Sequence, residues 1–120
     1  MAVYGRRRVG KTFLIRETFD YKFTFEHSGV ANSDNRIQLR AFRDSLVAAG
    51  MSKMRIPSNW MDAFDLLRQH IKQSTDKKKV VFIDELPWLA GPQSSELIEE
   101  LGHFWNSWAR KRKDILLIVC

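Results

Sequence analysis

Cys120 is the only cysteine in 120 residues. No intrachain disulfide can form, and the expected setting is a reducing cytoplasm. No apolar run approaches the roughly 18 residues that a membrane-spanning helix needs, and no signal-peptide pattern appears, so no membrane partner is expected. Internal repeats and low-complexity stretches are missing as well. His70 and His103 fall on helical patterns, and no His/Cys/Asp spacing suggests zinc.

What remains is an ordinary globular composition with a basic balance. A chain of 120 residues with 44% hydrophobic content can build one core and not comfortably two. The formal net charge is +6. Lys and Arg fall at 6–8, 36–43, 77–79 and 110–113, and no single run dominates. A solvated surface is the plainer reading. Nucleic acid and a nucleotide polyphosphate are the two partner classes that such a balance could serve.

The most informative stretch is Gly5-Arg6-Arg7-Arg8-Val9-Gly10-Lys11-Thr12, which fits G-x-x-x-x-G-K-[ST]. Glycines let the backbone curl until successive N–H groups point at a phosphate chain. Lys11 reaches the β- and γ-phosphates, and the Thr12 hydroxyl can ligate Mg²⁺. Such a loop follows a strand and opens a helix, whose N-terminus also faces the anion. Val3-Tyr4 reads as the end of that strand, and Phe13-Leu14-Ile15 continues into the helix. The expected cradle is Gly5, Arg7, Arg8, Val9, Gly10, Lys11, Thr12 and Phe13. The Arg6, Arg7 and Arg8 side chains read as solvated or structural, because backbone amides do the cradling.

Further along, Phe23-Thr24-Phe25 reads as a short strand and His27 to Asn35 as a loop, with His27 a capped loop histidine. Asn32 or Ser33 is the expected N-cap of a helix carrying Leu39, Phe42, Leu46 and Ala49, with Gly50 as its stop. After Pro57, Trp60, Phe64, Leu67 and Ile71 line one face of another helix, with Met61 and Ala63 alongside. Asp62 and Lys72 stand at its ends with the sign the helix dipole favours. Ser74 to Lys79 reads as a turn, and Pro87 to Pro92 as a loop in which Trp88 plugs onto the core. Leu97, Leu101, Phe104, Trp105 and Trp108 mark a last helix. Its tryptophans, like Trp60, read as core. Arg110 to Lys113 form a charged turn before Ile115–Val119, and Cys120 reads as a small apolar residue.

Val80-Val81-Phe82-Ile83-Asp84-Glu85 is a doubly buried strand pattern ending in two acids. Such a strand carries Asp84 to its carboxyl end, where it can hold the Mg²⁺ shell, with Glu85 as the base that positions water. Strands alternating with helices predict a parallel α/β sheet with its site at the carboxyl ends of the strands. A guanine-selecting Asn-Lys-x-Asp is absent, which speaks against a Ras-like GTPase.

The chain resembles the prokaryotic, notably archaeal, AAA-type ATPases related to the STAND class. The matching features are Tyr4 to Thr12, Gln38-Leu39 with Phe42, Pro57 followed by Trp60, Val81 to Leu89, Phe104-Trp105-Asn106, and the strand from Ile115 to Cys120. The resemblance implies a three-layer P-loop NTPase fold with strand order 5-1-4-3-2, ATP as nucleotide and Mg²⁺ as metal. It implies Lys11 and Glu85 as catalytic residues, and Thr12 and Asp84 as the metal contacts. It also implies a possible homo-oligomer and contact with DNA through a module beyond this chain.

Both ends read as cut inside a larger fold. Only Met1 to Tyr4 precede Gly5, and the last strand stops at Cys120. The expected unit is a single partial ATPase domain over residues 1–120, with a short first strand and without the fifth strand, the lid and the sensor residue. Two alternatives stay open: a nucleic-acid-binding module, and a truncated, non-hydrolysing ATPase fragment.

Overall fold

The computed structural model describes residues 2–4, 15, 17–20, 22–31, 33–86 and 95–120. The loop Gly5–Thr12 with Phe13, and the segment Pro87–Pro92, lie outside the described residues. Four strands are described: β1 (Ala2–Tyr4), β2 (Phe25–Ser28), β3 (Lys79–Asp84) and β4 (Ile115–Val119). All pair in parallel, in the order β1-β4-β3-β2. This is the 1-4-3-2 part of the order that the resemblance implies. Three helices pack on one face: α1 (Asn35–Ala48), α2 (Trp60–Gln73) and α3 (Ser95–Ser107).

β4 is a continuous apolar run and β3 is one from Val80 to Ile83, and every residue of both strands is buried. A strand covered on both faces needs that composition. Alternate residues serve two cores. Val81, Ile83, Ile115, Leu117 and Val119 meet the three helices. Val80, Phe82, Leu116, Ile118 and Cys120 face the other way, against Ile15, Phe19 and Phe23. The result is a three-layer α/β fold.

The helix ends follow local chemistry. Asp34 caps α1, its side chain accepting from Ile37 N–H at 2.9 Å. The cap is therefore neither Asn32, which lies outside the described residues, nor Ser33, whose hydroxyl instead donates to the Ala31 carbonyl. At the other end Gly50 takes φ +117°. Its N–H donates to Val47 O, and Met51 N–H donates to Leu46 O. That paired closure needs a left-handed residue, which glycine supplies without a Cβ clash. Asn59 caps α2 through Asp62 N–H at 2.8 Å.

Other expectations need correction. The second strand runs from Phe25 to Ser28, not from Phe23 to Phe25. His27 and Ser28 are expected in a loop, yet both pair with β3, as does Glu26. His27 is buried in that strand and is not a capped loop histidine. Lys79 belongs to β3 and is buried rather than part of the turn. Met61 is 50% exposed. Trp108 lies past the end of α3 and is half-buried.

Phe42 centres the helical layer, with ring centroids 5.1 Å from Phe25, 5.4 Å from Trp60 and 5.6 Å from Phe64. Full burial of one such ring stabilises by roughly 1.5–3 kcal/mol. Trp60 also acts as a polar knot. Its indole Nε1 donates to Asn35 Oδ1 at 2.7 Å, and its backbone N–H donates to Glu96 Oε1 at 3.0 Å. The first turns of α1, α2 and α3 are thereby tied together.

Candidate functional site

Parallel pairing sends every strand's carboxyl end to one edge, and the register sets how the chain leaves it. Tyr4 pairs with Val119, and Val119 pairs with Ile83. The chain therefore departs toward Gly5, Cys120 and Asp84 from one level of the sheet. β4 stands between β1 and β3, so the exits after Tyr4 and Ile83 are separated by two strand spacings, about 10 Å. A crevice of this kind, beyond the carboxyl ends of parallel strands, is where α/β folds bind ligands.

Asp84 ends β3 and is 7% exposed. Its carbonyl accepts from Gly29 N–H at 3.0 Å, which anchors it to the end of β2. Its Oδ1 accepts from Glu85 N–H at 2.9 Å.

Glu85 departs from sheet geometry. Cys120 N–H donates to Ile83 O at 2.9 Å, and Cys120 O accepts from Leu86 N–H at 2.9 Å. In a regular parallel ladder that carbonyl would take residue 85. One residue is thus extra, and Glu85 sits in the bulge with φ +56°. A left-handed φ in a residue with a side chain costs on the order of 1 kcal/mol. Bulges next to active sites re-aim a side chain. Here the bulge takes the Glu85 carboxylate out of the up-and-down alternation of β3.

The loop after β2 is also fixed. Gln38 is buried on the first turn of α1. Its Oε1 accepts from Val30 N–H at 3.0 Å and its Nε2 donates to Val30 O at 2.6 Å. This two-point clamp holds the residue next to Gly29, and Gly29 holds Asp84. Gln38 was missed as a site residue in the sequence. Its signal was a polar side chain interrupting the i, i+4 row of Gln38, Phe42 and Leu46. The bulge at Glu85 left no such signal.

His27, one residue before the end of β2, is 2% exposed. Its Nδ1 meets Ser45 Oγ at 2.7 Å, while Nε2 is buried with no hydrogen-bond partner. Burial lowers its pKa from 6.5 to about 4, so the ring is neutral at pH 7. It packs at 5.2 Å from the Phe42 ring.

Of the sequence-predicted site residues, Asp84 and Glu85 are brought together at the carboxyl edge. Gly5, Arg7, Arg8, Val9, Gly10, Lys11, Thr12 and Phe13 lie outside the described residues. The two placed groups suit a hard cation: both are carboxylates, and the buried Asp84 is held by its own backbone. Mg²⁺ keeps several waters and takes one or two carboxylates besides phosphate oxygens, so one strand-end Asp is a fitting contribution. Among the described residues no three His, Cys, Asp or Glu side chains gather into a metal cluster, and no helix is long and apolar enough to cross a membrane.

A family model described as an AAA domain matches residues 1–120. Neither the search of curated proteins nor that of solved structures gives a significant match. The match implies an ATPase-type nucleotide-binding unit of the P-loop kind, generally working with Mg²⁺, which agrees with the strand order and the acidic end of β3. The chain therefore belongs to the AAA domain family.

Proposed function

We propose that residues 1–120 form one ATPase domain that binds ATP with Mg²⁺. Hydrolysis in the whole protein then drives a switch or motor of the AAA/STAND-like kind. The observation that carries this reading is the pair Asp84-Glu85 at the end of β3, level with the point where β1 leads into Gly5.

In this reading the backbone N–H groups from Arg7 to Thr12 hold the phosphates and Lys11 neutralises them. Asp84 and the Thr12 hydroxyl would hold the cation, and Mg²⁺ bound there would supply positive charge against the phosphate oxygens. Glu85 accepts a proton from the water that attacks the γ-phosphorus in line. The bond from that phosphorus to the bridging oxygen breaks, leaving ADP and phosphate. The protein's part is positioning and electrostatics. The bulge serves it by fixing the Glu85 backbone in advance.

Two substitutions test the assignment. Lys11→Ala abolishes ATP binding in equilibrium titration. Glu85→Gln keeps binding and lowers the hydrolysis rate of the whole protein by about 10²–10⁴-fold, the usual worth of a general base. Unchanged ATP affinity in Lys11→Ala would overturn the site.

A further inference from the structure

The amino edge of the sheet, opposite Asp84, gathers charge that is dispersed in the sequence. Lys79 pairs in register with Ile115, and its N–H donates to Asp114 O at 2.7 Å. The turns before β3 and β4 are therefore neighbours. The Trp108 ring adds the end of α2, with Lys72 Nζ 5.8 Å and the Arg112 guanidinium 5.3 Å from its centroid. Residues 72–79 and 108–114 contain eight Lys and Arg and two Asp. They account for the whole formal net charge of +6, and the rest of the chain balances.

Both acids are engaged by groups of the same chain. Asp114 pairs with Arg112 at 3.1 Å and Lys79 at 3.3 Å, and these cations hold its pKa down at about 2. Asp76 accepts from Thr24 Oγ1 at 2.8 Å. Lys72, Lys77, Lys78, Arg110, Lys111 and Lys113 are all exposed.

We propose that this edge is an interaction surface for the phosphodiester backbone of nucleic acid. Clustered exposed cations bind phosphates by releasing counterions and need no apolar anchor. A protein partner adds a desolvated anchor, because interface energy concentrates in a few well-packed residues, chiefly Trp, Tyr and Arg. Among the described residues the exposed large apolar side chains are Ile37, Met61 and Ile98, which sit in the first turns of the three helices, away from this edge. The Trp108 ring carries two cations of its own chain. The proposal is independent of the nucleotide site, since the two lie at opposite ends of the strands.

The test is fluorescence anisotropy of labelled duplex DNA, labelled single-stranded DNA and a poly-glutamate peptide over a salt series. The proteins are this chain, Lys77→Ala/Lys78→Ala/Lys111→Ala/Lys113→Ala, and the charge-matched Arg36→Glu/Arg40→Glu. With about six phosphate contacts, the unsubstituted chain loses about 10³-fold in duplex affinity from about 50 to about 200 mM salt. The fourfold variant, keeping about two contacts, loses only about tenfold. The charge-matched control keeps the original slope. Binding to one nucleic-acid form alone identifies which backbone is the partner. No nucleic-acid binding, equal slopes in all three proteins, an equal loss in the control, or preference for poly-glutamate would each overturn the proposal.

Discussion

At the carboxyl edge of the sheet the holding groups are an indole, two amides and a carboxylate: Trp60, Asn35, Gln38 and Glu96. At the amino edge they are charged: Lys79, Arg112 and Asp114. Trp60 is fully buried; at the amino edge Lys79 is buried too, but the Arg112 and Asp114 side chains are about a third exposed. Removing one partner of a buried bond leaves an unsatisfied polar group, which costs about 1–3 kcal/mol. Exposed ion pairs typically contribute between about 0 and 1 kcal/mol. The carboxyl edge is therefore built for fixed geometry, which a site made by positioning requires. The amino edge contributes field more than stability.

The contrast can be broken first at Trp60. Trp60→Ala removes a buried ring and its indole bond to Asn35, while the backbone N–H to Glu96 stays, and lowers stability by about 3–5 kcal/mol in urea unfolding. The next effect is a pH dependence at His27. Its folded pKa of about 4 lies below the unfolded value of 6.5, so the unfolded chain takes up the proton first. Stability is full above pH 6.5 and falls as the pH drops toward 4, by about 3 kcal/mol in all. Urea midpoints from pH 7 to pH 5 fall in the unsubstituted chain and fall less in His27→Gln. Gln38→Ala unclamps Val30 and costs about 1–3 kcal/mol, with faster amide exchange at Val30 and Gly29. The smallest effect is at the amino edge. Asp114 has a depressed pKa, so its contribution is present above the ordinary carboxylate range and is lost as pH falls toward 2. Asp114→Asn shifts stability at pH 7 by less than about 1 kcal/mol. A loss as large as that of Trp60→Ala would erase the distinction between the edges.

These residues also show how far the sequence could be read. β3 and β4 were legible because double burial demands an unbroken apolar run, and Asp84-Glu85 were legible as the acids ending one. The apolar stripes of α1, α2 and α3 follow helical spacing and were legible for the same reason. β2 was misread because its inward His27 is polar, its partner Ser45 is 18 residues away, and Glu26 and Ser28 carry no strand signal. Asn32, Ser33 and Asp34 are all good capping residues, and only the path of the loop selects the last. The bulge at Glu85 arises from pairing with Cys120, 35 residues distant, and no local pattern announces it. The basic edge was invisible because parallel pairing, not sequence proximity, brings residues 77–79 beside 110–114.

The central claim is that the end of β3 holds the metal of a nucleotide site, and one titration tests it most directly. ATP is titrated into the unsubstituted chain and into Asp84→Ala, each with and without Mg²⁺, by calorimetry. The account predicts that Mg²⁺ tightens ATP binding in the unsubstituted chain and gives little gain in Asp84→Ala, while urea unfolding shows the variant folded. An equal Mg²⁺-dependent gain in both proteins would contradict it.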